Sequence, residues 1–338
     1  MQHLQLFDSK SCKALLKTRK GESKFGEHIH FISDLTNIYD SIKNLDVDYV
    51  IFGISEDIGV YANYGNTGTK RAWSATIKFL LNIQANDFTI ADRVAILGHL
   101  EYPEFYNDFD FNKKRTKKQI KIARQFVETI DADVSRLVYT IVKAGKTPIV
   151  IGGGHNNSYG NIKGTALALN STINVINLDA HSDFRAEEGR HSGNGFSYAL
   201  AEGFLEKYFI FGLHQNYTSS QLLKSFKKLK NIKYVTFDKL VMKSIPFKSA
   251  IEKSHKHIAD SPFGIEIDCD AIENVPSSAM TPSGFSVKQV RRFINYFAQQ
   301  ADVQYLHICE ASPSEDDEQH VGKLISYLIT DFIKANGS

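Results

Sequence analysis

Three residues of the kinds that bind metal ions stand at alternate positions just after an apolar run. The run covers residues 173–176, and the three residues are Asp179, His181 and Asp183. In an extended chain, side chains at i, i+2 and i+4 share one face, so these three would project together from the end of a buried strand. A single Asp or His at a strand end is more often a turn former or a satisfied polar group. Acid, imidazole and acid on one face instead indicate a metal site.

Two more β-branched runs end in residues of the same kinds. Residues 148–151 lead into a Gly-Gly-Gly-His sequence at 152–155, and residues 263–267 lead into a second acidic pair. Sites in open α/β sheets form outside the carboxyl ends of the strands. The three strand ends would therefore assemble six candidate metal ligands: His155, Asp179, His181, Asp183, Asp268 and Asp270. Four carboxylates and two imidazoles suit Mn²⁺ or a similar hard divalent ion better than the sulfur-rich site of structural zinc, and they are enough for two ions that share carboxylates.

Alternating strand and helix patterns would position these residues. Short β-branched runs predict strands at 49–54, 148–151, 173–178, 207–211, 233–236, 263–267 and 304–308. Helical spacing of apolar residues predicts helices at 31–45 and 72–83, and a long helix that follows the basic run 113–118 and stops at Gly145. We expect a doubly wound, mostly parallel sheet with helices on both faces. Residues 49–338 would form one α/β domain, with residues 1–48 as an N-terminal extension packed on it.

Composition and charge bear on the class of partner. The 338 residues carry a formal net charge of only +2, so no overall field favours nucleic acid or a membrane surface. The basic run 113–118 is interpreted as the solvated start of the long helix rather than as a nucleic-acid site. Three cysteines, Cys12, Cys269 and Cys309, are too few and too scattered for a disulfide framework. With no secretory pattern at the start and no run near the ~20 apolar residues of a membrane span, we expect a cytoplasmic protein.

The ligand segments resemble those of the ureohydrolase superfamily, which comprises arginases, agmatinases and formimidoylglutamases. The likeness runs from about Tyr49 to the C-terminus and includes a Gly-Gly-x-His turn, an Asp-x-His-x-Asp strand end and an Asp-x-Asp strand end. This resemblance implies an arginase-like fold, two Mn²⁺ ions per chain and hydrolysis of a small linear amidine or guanidine. It also implies that Glu310 pairs with the cationic N–C–N unit and that Asp183 carries a proton to the leaving nitrogen. Family members are often oligomers, so a homo-oligomer is a further possibility.

One loop departs from the arginase pattern. Phe196 stands where arginases and agmatinases have a histidine thought to shuttle protons. Together with Arg185, this residue is closer to the formimidoylglutamase branch, whose substrate N-formimidoyl-L-glutamate yields L-glutamate and formamide. His191 is the candidate substitute for the missing shuttle. The candidate substrate-binding residues lie on this loop and on an earlier loop that resembles the family's active-site mouth: Asn63, Arg185, Arg190, Ser192 and Asn194.

Three other functions remain open. A guanidine hydrolase of the arginase or agmatinase type would release urea. A non-catalytic metal-binding member of the fold would not be expected to keep all six ligands, because buried carboxylates without cations are costly. A deacetylase on the related histone-deacetylase-like fold would use one zinc ion, fewer carboxylates and a Tyr and His pair that the sequence does not show in register.

Overall fold

One twisted sheet carries the candidate ligands. The computed structural model describes residues 2–32, 36–109 and 114–337, and within them ten strands join in a single sheet. In chain order, β1 to β10 are Leu4–Leu6, His30–Phe31, Tyr49–Ser55, Val94–Glu101, Thr147–Ile151, Ile173–Leu178, Leu205–Leu213, Ile232–Thr236, Phe263–Asp268 and Val303–Cys309. The order across the sheet is β1-β4-β3-β5-β10-β9-β6-β7-β8, with β2 paired to β4. Among the described strands β1 alone pairs antiparallel, so the predicted, mostly parallel sheet is confirmed.

Helices cover both faces of this sheet. The described residues form twelve α-helices, α1 to α12: Ser9–Leu15, Ile38–Lys43, Ile58–Ala62, Ala72–Leu80, Lys117–Lys143, Asn157–Leu169, Gly195–Ala201, Ser220–Lys228, Phe237–Val241, Phe247–Ile258, Val287–Ala298 and Glu318–Asn336. Along β3, Ile51 belongs to a hydrophobic cluster shared with α4, α11 and α12, whereas Val50 and Phe52 belong to a cluster shared with α5. The alternation of side chains along each strand therefore gives the sheet two apolar faces, and each face is covered by helices.

The four strands that lead to the candidate functional residues are neighbours in the sheet. They are β5, β10, β9 and β6 in spatial order, although β10 is the last strand of the chain. All three neighbouring pairs are parallel, so their carboxyl ends meet at one edge. Their order in space differs from their order in the chain, which is the arrangement that opens a ligand crevice in an α/β sheet.

Most elements predicted after residue 48 are confirmed, whereas the prediction for residues 1–48 differs from the structure. All seven predicted strands are present to within two residues at each end, whereas β1, β2 and β4 were not predicted. The helix predicted at 31–45 is wrong over its first part, because His30–Phe31 forms β2 and α2 begins only at Ile38. Residues 33–35 of that prediction lie outside the described residues. Strand β2 forms by pairing with β4, a contact that local spacing does not reveal, so residues 1–48 contribute two strands to the main sheet.

The long helix ends where the sequence predicts but begins later, at Lys117, so Lys114 and Arg115 of the basic run precede it and do not form its first turn. The Thr116 hydroxyl accepts from the N–H of Gln119 (3.2 Å), and the Gln119 side chain accepts from the N–H of Thr116 (2.9 Å), which is a capping box at the start of α5. Gly145 follows the last turn with φ of 77°, as expected for a C-terminal glycine. Lys113, in the basic run, lies outside the described residues. No helix in the described ranges has the length and apolar character needed to cross a membrane.

Candidate metal centre and active-site cavity

A glycine turn after β5 positions His155. Gly153 has φ of 71°, and a Cβ there would lie 2.3 Å from Asn157 Nδ2 and 2.8 Å from Glu56 Oε1, so only glycine fits. Glu56 is fully buried after β3 and accepts hydrogen bonds from the N–H of Gly154 (2.9 Å) and from Asn157 Nδ2 (2.7 Å). Glu56 thus holds the turn from the neighbouring strand. Sequence reasoning missed this role because the contact with Gly154 spans 98 positions.

Three carboxylates surround one ring nitrogen of His155. Its Nδ1 lies 2.9 Å from Asp183 Oδ2, 3.0 Å from Asp268 Oδ2 and 3.4 Å from Asp179 Oδ2. His155, Asp179 and Asp268 are at most 1% exposed. One imidazole cannot balance three carboxylates, two of which are buried and one of which is 13% exposed, and uncompensated buried charge is costly. We therefore expect cations to bind between these three carboxylates.

His181 and Asp270 extend the cluster beyond Asp179. His181 Nδ1 lies 3.7 Å from Asp179 Oδ1 and 3.8 Å from Asp270 Oδ2. Two of the acids also cap their own strand ends, since Asp179 accepts from the N–H of His181 (2.6 Å) and Asp268 accepts from the N–H of Asp270 (2.7 Å). The structure thus brings all six sequence-predicted ligands into one continuous cluster, in which Asp179 links the His155 end to the His181 end.

The donor set fits hard divalent cations. Ligand atoms of His155, Asp179, Asp183 and Asp268 all lie within 4.8 Å of one another. Burial, together with the charges of Asp270 and Asp179, raises the pKa of Asp268 well above its ordinary value. Burial and the charge of Asp179 likewise raise the pKa of Asp183. Carboxylates that resist ionisation next to each other are stabilised by a bound cation, and oxygen-rich sets with imidazole suit Mn²⁺-type ions.

Glu310 follows β10 and contributes one unpaired carboxylate oxygen. Its Oε1 accepts from the N–H of His155 (2.6 Å), while Oε2 is buried without a hydrogen-bond partner in the described chain. Burial and the charge of Asp270 raise the pKa of Glu310 well above its ordinary value. Glu310 and Asp183 have left-handed backbones, with φ of 61° and 43°. Such strain costs of order 1–3 kcal/mol in residues other than glycine and is typical of functional sites.

These groups open onto a cavity of about 280 Å³, here called the acidic cavity. Its lining includes the acids Asp183, Asp268, Asp270 and Glu310, together with Asn63, Arg185, Ser192 and Tyr217. Asn63 Nδ2 donates to Ser192 Oγ (3.2 Å), and Arg185 Nη1 donates to Asn63 Oδ1 (3.4 Å). Among the described residues that line the cavity, Arg185 alone carries a guanidinium or ammonium group. The acidic cavity therefore has an anionic lining and a single strong cation on its wall.

The sequence predicts that Arg190 binds substrate, but this residue does not line the acidic cavity. It is 3% exposed, and its guanidinium binds Asp131 through Nε (2.7 Å) and Asn194 through Nη1 (2.5 Å). The rings of Tyr159 and Tyr198 enclose it, with centroids 4.8 and 4.9 Å from Cζ. These contacts satisfy the guanidinium within the protein, so Arg190 anchors its loop to α5.

His191 and Asn194 also point into the protein rather than into the cavity. His191 is fully buried, and its Nδ1 accepts from the N–H of Gly193 (3.1 Å). Burial and the charges of Arg124 and Arg190 lower its pKa to about 3. The ring is therefore neutral near neutral pH, whereas a proton shuttle must accept a proton there. Asn194 accepts from the N–H of His191 (3.0 Å). The geometry therefore supports a structural role for both residues.

The ring of Phe196 packs against His155. It is fully buried, its plane is nearly perpendicular to the imidazole (87°) at 5.1 Å, and it stacks on Tyr208 at 4.3 Å. A phenyl ring carries no proton, so this position supplies packing that restricts the orientation of His155.

Glu266 is a second buried acid that sequence reasoning missed. Its Oε2 lies 2.5 Å from His307 Nδ1 and 3.5 Å from His155 Nε2, and the Tyr305 hydroxyl donates to Oε1 (2.8 Å). Burial alone would raise the pKa of Glu266, but the charge of His307 and the contacts with His155 outweigh it and lower the pKa to about 2. The signal in the sequence was a charged residue inside the apolar run 263–267, opposite a histidine inside the run 304–308.

Comparison with known proteins agrees with the geometry of the centre. The model of the Arginase family matches residues 48–334. A formimidoylglutamase of Macrococcus caseolyticus is 28% identical over 326 residues, which cover 92% of this chain and 93% of that protein. Two solved structures share the fold. The formimidoylglutamase of Bacillus subtilis has a TM-score of 0.75 at 18% identity, covering 94% of this chain and 93% of that one. The Trypanosoma cruzi formiminoglutamase with Mn²⁺ has a TM-score of 0.70 at 19% identity, covering 88% and 97%. Since the family match spans most of its length, this chain belongs to the arginase family.

Proposed function

We propose that this protein is a manganese-dependent hydrolase that converts N-formimidoyl-L-glutamate and water into L-glutamate and formamide. The observation that carries the proposal is the acidic cavity, which is lined by four of the six candidate metal ligands, by Glu310 with its unpaired oxygen and by one arginine, while the other two ligands, His155 and Asp179, are buried behind it. Two relatives that are similar over most of this chain, from Macrococcus caseolyticus and Streptococcus pyogenes, are formimidoylglutamases, which supports this substrate over a guanidine.

The six clustered ligands would hold two Mn²⁺ ions. His155 and His181 lie at opposite ends of the cluster with Asp179 between them, an arrangement suited to two ions that share a carboxylate. When bound, such a pair would lower the pKa of a shared water toward neutrality, so that the water can attack an electrophilic carbon.

Glu310 and Asp183 would act on the amidine itself. The free Oε2 of Glu310 would accept charge-assisted hydrogen bonds from the amidinium N–H groups and so orient the central carbon. Asp183, which lines the same cavity, would carry a proton from the attacking water to the nitrogen of glutamate as the C–N bond breaks. The central carbon of the formimidoyl group bears hydrogen where a guanidine has a third nitrogen. It is therefore less stabilised by resonance, and the reaction needs less assistance than urea release does.

The glutamate part of the substrate would meet the wall of the cavity. It carries two carboxylates, and Arg185 is the strong cation available there, with Asn63 and Ser192 as neutral hydrogen-bonding groups beside it. Agmatine has no carboxylate and would gain nothing from Arg185. Arg190, His191 and Asn194 would contribute indirectly, by holding the loop that presents Arg185 and Ser192.

A substrate comparison tests the proposal. Protein loaded with Mn²⁺ is assayed with N-formimidoyl-L-glutamate, arginine, agmatine and guanidinobutyrate under matched conditions, and glutamate, formamide and urea are quantified. We expect formamide release from N-formimidoyl-L-glutamate to have the highest kcat/KM. Faster urea release from a guanidine would make the protein a guanidine hydrolase, and no turnover of any compound by metal-loaded protein would favour a non-catalytic role.

A further inference from the structure

A buried polar group behind His155 is not used by the proposed reaction. Glu266 in β9 and Tyr305 and His307 in β10 are all fully buried and contact one another across two neighbouring strands. Glu266 receives the Tyr305 hydroxyl at 2.8 Å and His307 Nδ1 at 2.5 Å. None of the three lines the acidic cavity, so they contact neither the substrate space nor bulk solvent.

His155 connects this group to the metal-ligand cluster. Its Nδ1 faces the carboxylates of Asp179, Asp183 and Asp268, and its Nε2 faces Glu266 Oε2 at 3.5 Å. Within the described residues Nε2 makes no hydrogen bond, and the Cys309 thiol belongs to the same group, since ligand atoms of His155, Glu266, His307 and Cys309 all lie within 4.8 Å of one another. The imidazole therefore lies between two acidic groups, with one nitrogen directed at each.

The surroundings leave the ring little freedom to turn. Phe196 packs against it nearly at a right angle at 5.1 Å, and the ring of His307 lies 6.1 Å away. If the ring flipped, Cδ2 would face the three aspartates and Cε1 would face Glu266, so neither acidic group would meet a nitrogen. A carboxylate at the Nε2 side favours the tautomer with a proton on Nε2, which leaves the lone pair of Nδ1 for a metal ion.

We propose that Glu266 is a positioning residue that orients His155 for metal binding, with Tyr305 and His307 orienting Glu266 in turn. The inference rests on the proposed metal centre and extends it to residues outside the cavity. A carboxylate that accepts from the second nitrogen of a ligating histidine fixes its orientation and raises its basicity, and loss of such a partner typically weakens metal affinity about 10- to 100-fold.

Metal affinity of Glu266→Gln tests this assignment. Metal-free wild type and variant are titrated with Mn²⁺ in a calorimeter, and the melting temperature of each metal-free protein is measured in parallel. Glutamine keeps the size of the side chain and removes its charge. We expect the variant to retain a cooperative melting transition and to bind the ion held by His155 about 10- to 100-fold more weakly. Unchanged affinity in the folded variant would overturn the inference, because a merely structural residue would change the melting temperature alone.

A tyrosine pair keeps the test decisive if Glu266→Gln does not fold. Tyr305→Phe removes one donor to Glu266, while Tyr49→Phe removes a buried hydroxyl that donates to Asn336 (3.0 Å). We expect weaker Mn²⁺ binding in Tyr305→Phe and wild-type binding in Tyr49→Phe; equal affinities in the two variants would overturn the inference. Failure of wild type to bind Mn²⁺ would overturn the proposed function as well, whereas normal wild-type binding with unaffected variants would overturn only the role of Glu266.

Discussion

The metal-ligand cluster and the loop after it are close in sequence but are built on different principles. At the strand end, Asp179, His181 and Asp183 alternate, and all three reach the cluster. In the loop, Arg185 lines the acidic cavity, while Arg190, five residues later, is buried against Asp131. The three ligands follow β6 within five residues of its last residue, Leu178, although Asp183 has a left-handed backbone, whereas each side chain of the longer loop points where its tertiary partners lie. Closeness to a strand end is therefore a better guide to function here than residue type alone.

Removal of a strand-end ligand should have the largest effect. We expect Asp268→Ala to lose most bound Mn²⁺ and about three decades or more of kcat/KM, since metal stabilisation of charge is worth several kcal/mol and each decade corresponds to ~1.4 kcal/mol. Metal per chain is measured by elemental analysis after desalting. Asp260→Ala, which removes an exposed acid paired with Lys207, is the control. Retention of two ions by a folded Asp268→Ala protein would contradict the proposed centre.

Glu310→Gln should have the next largest effect and should leave the metal in place. The amide oxygen can still accept from the N–H of His155, so the turn is preserved, but the charge opposite the amidinium is lost. A charge-assisted bond is worth roughly 1.5–3 kcal/mol, or about one to two decades in kcat/KM. Steady-state kinetics with metal analysis of the same sample measure both quantities. Kinetics close to wild type would mean that Glu310 only supports the turn.

The two arginines of the loop sharpen the comparison directly. We expect Arg185→Ala to raise KM for N-formimidoyl-L-glutamate by at least about tenfold, because a charge-assisted bond is worth roughly 1.5–3 kcal/mol and each decade corresponds to ~1.4 kcal/mol. The melting temperature should change little. We expect Arg190→Ala to lower the melting temperature markedly, because breaking a buried pair costs about 3–5 kcal/mol and leaves Asp131 unpaired. Kinetics and thermal melts of both variants decide the matter; the reverse pattern would show that Arg190 binds substrate.

His191→Gln should have the smallest effect on catalysis. We expect kcat/KM near neutral pH to change by less than about one decade, because a ring with a pKa lowered to about 3 stays neutral at that pH and does not take up a proton to pass on. Since its folded-state pKa lies below the ordinary 6.5, His191 contributes stability that is present above pH 6.5 and is lost as the pH falls toward 3. Melting temperatures between pH 7 and 4 should therefore fall less steeply in the variant. A lost limb in the pH profile of kcat would instead identify His191 as a proton carrier.

The amino-acid sequence alone was enough to predict the ligand types and the class of fold. Alternate spacing at 179, 181 and 183 and the acidic pair 268 and 270 mark two strand ends, because each group stands directly after a β-branched apolar run. The seven predicted strands follow from the same local patterns and are confirmed. Helix α5 was recognisable from its own apolar spacing and its C-terminal glycine.

Tertiary structure alone decided which strand ends meet and which distant side chains support them. The placement of β10 between β5 and β9 brings Glu310 to the turn of His155, 155 positions earlier in the chain. The roles of Glu56 and Glu266 likewise depend on partners in neighbouring strands. Strands distant in the chain pair through backbone hydrogen bonds and shared core packing, and neither leaves a local pattern in the sequence. For the same reason the sequence could nominate both Arg185 and Arg190, and only the packing of the loop separated the residue that lines the cavity from the one that anchors the loop.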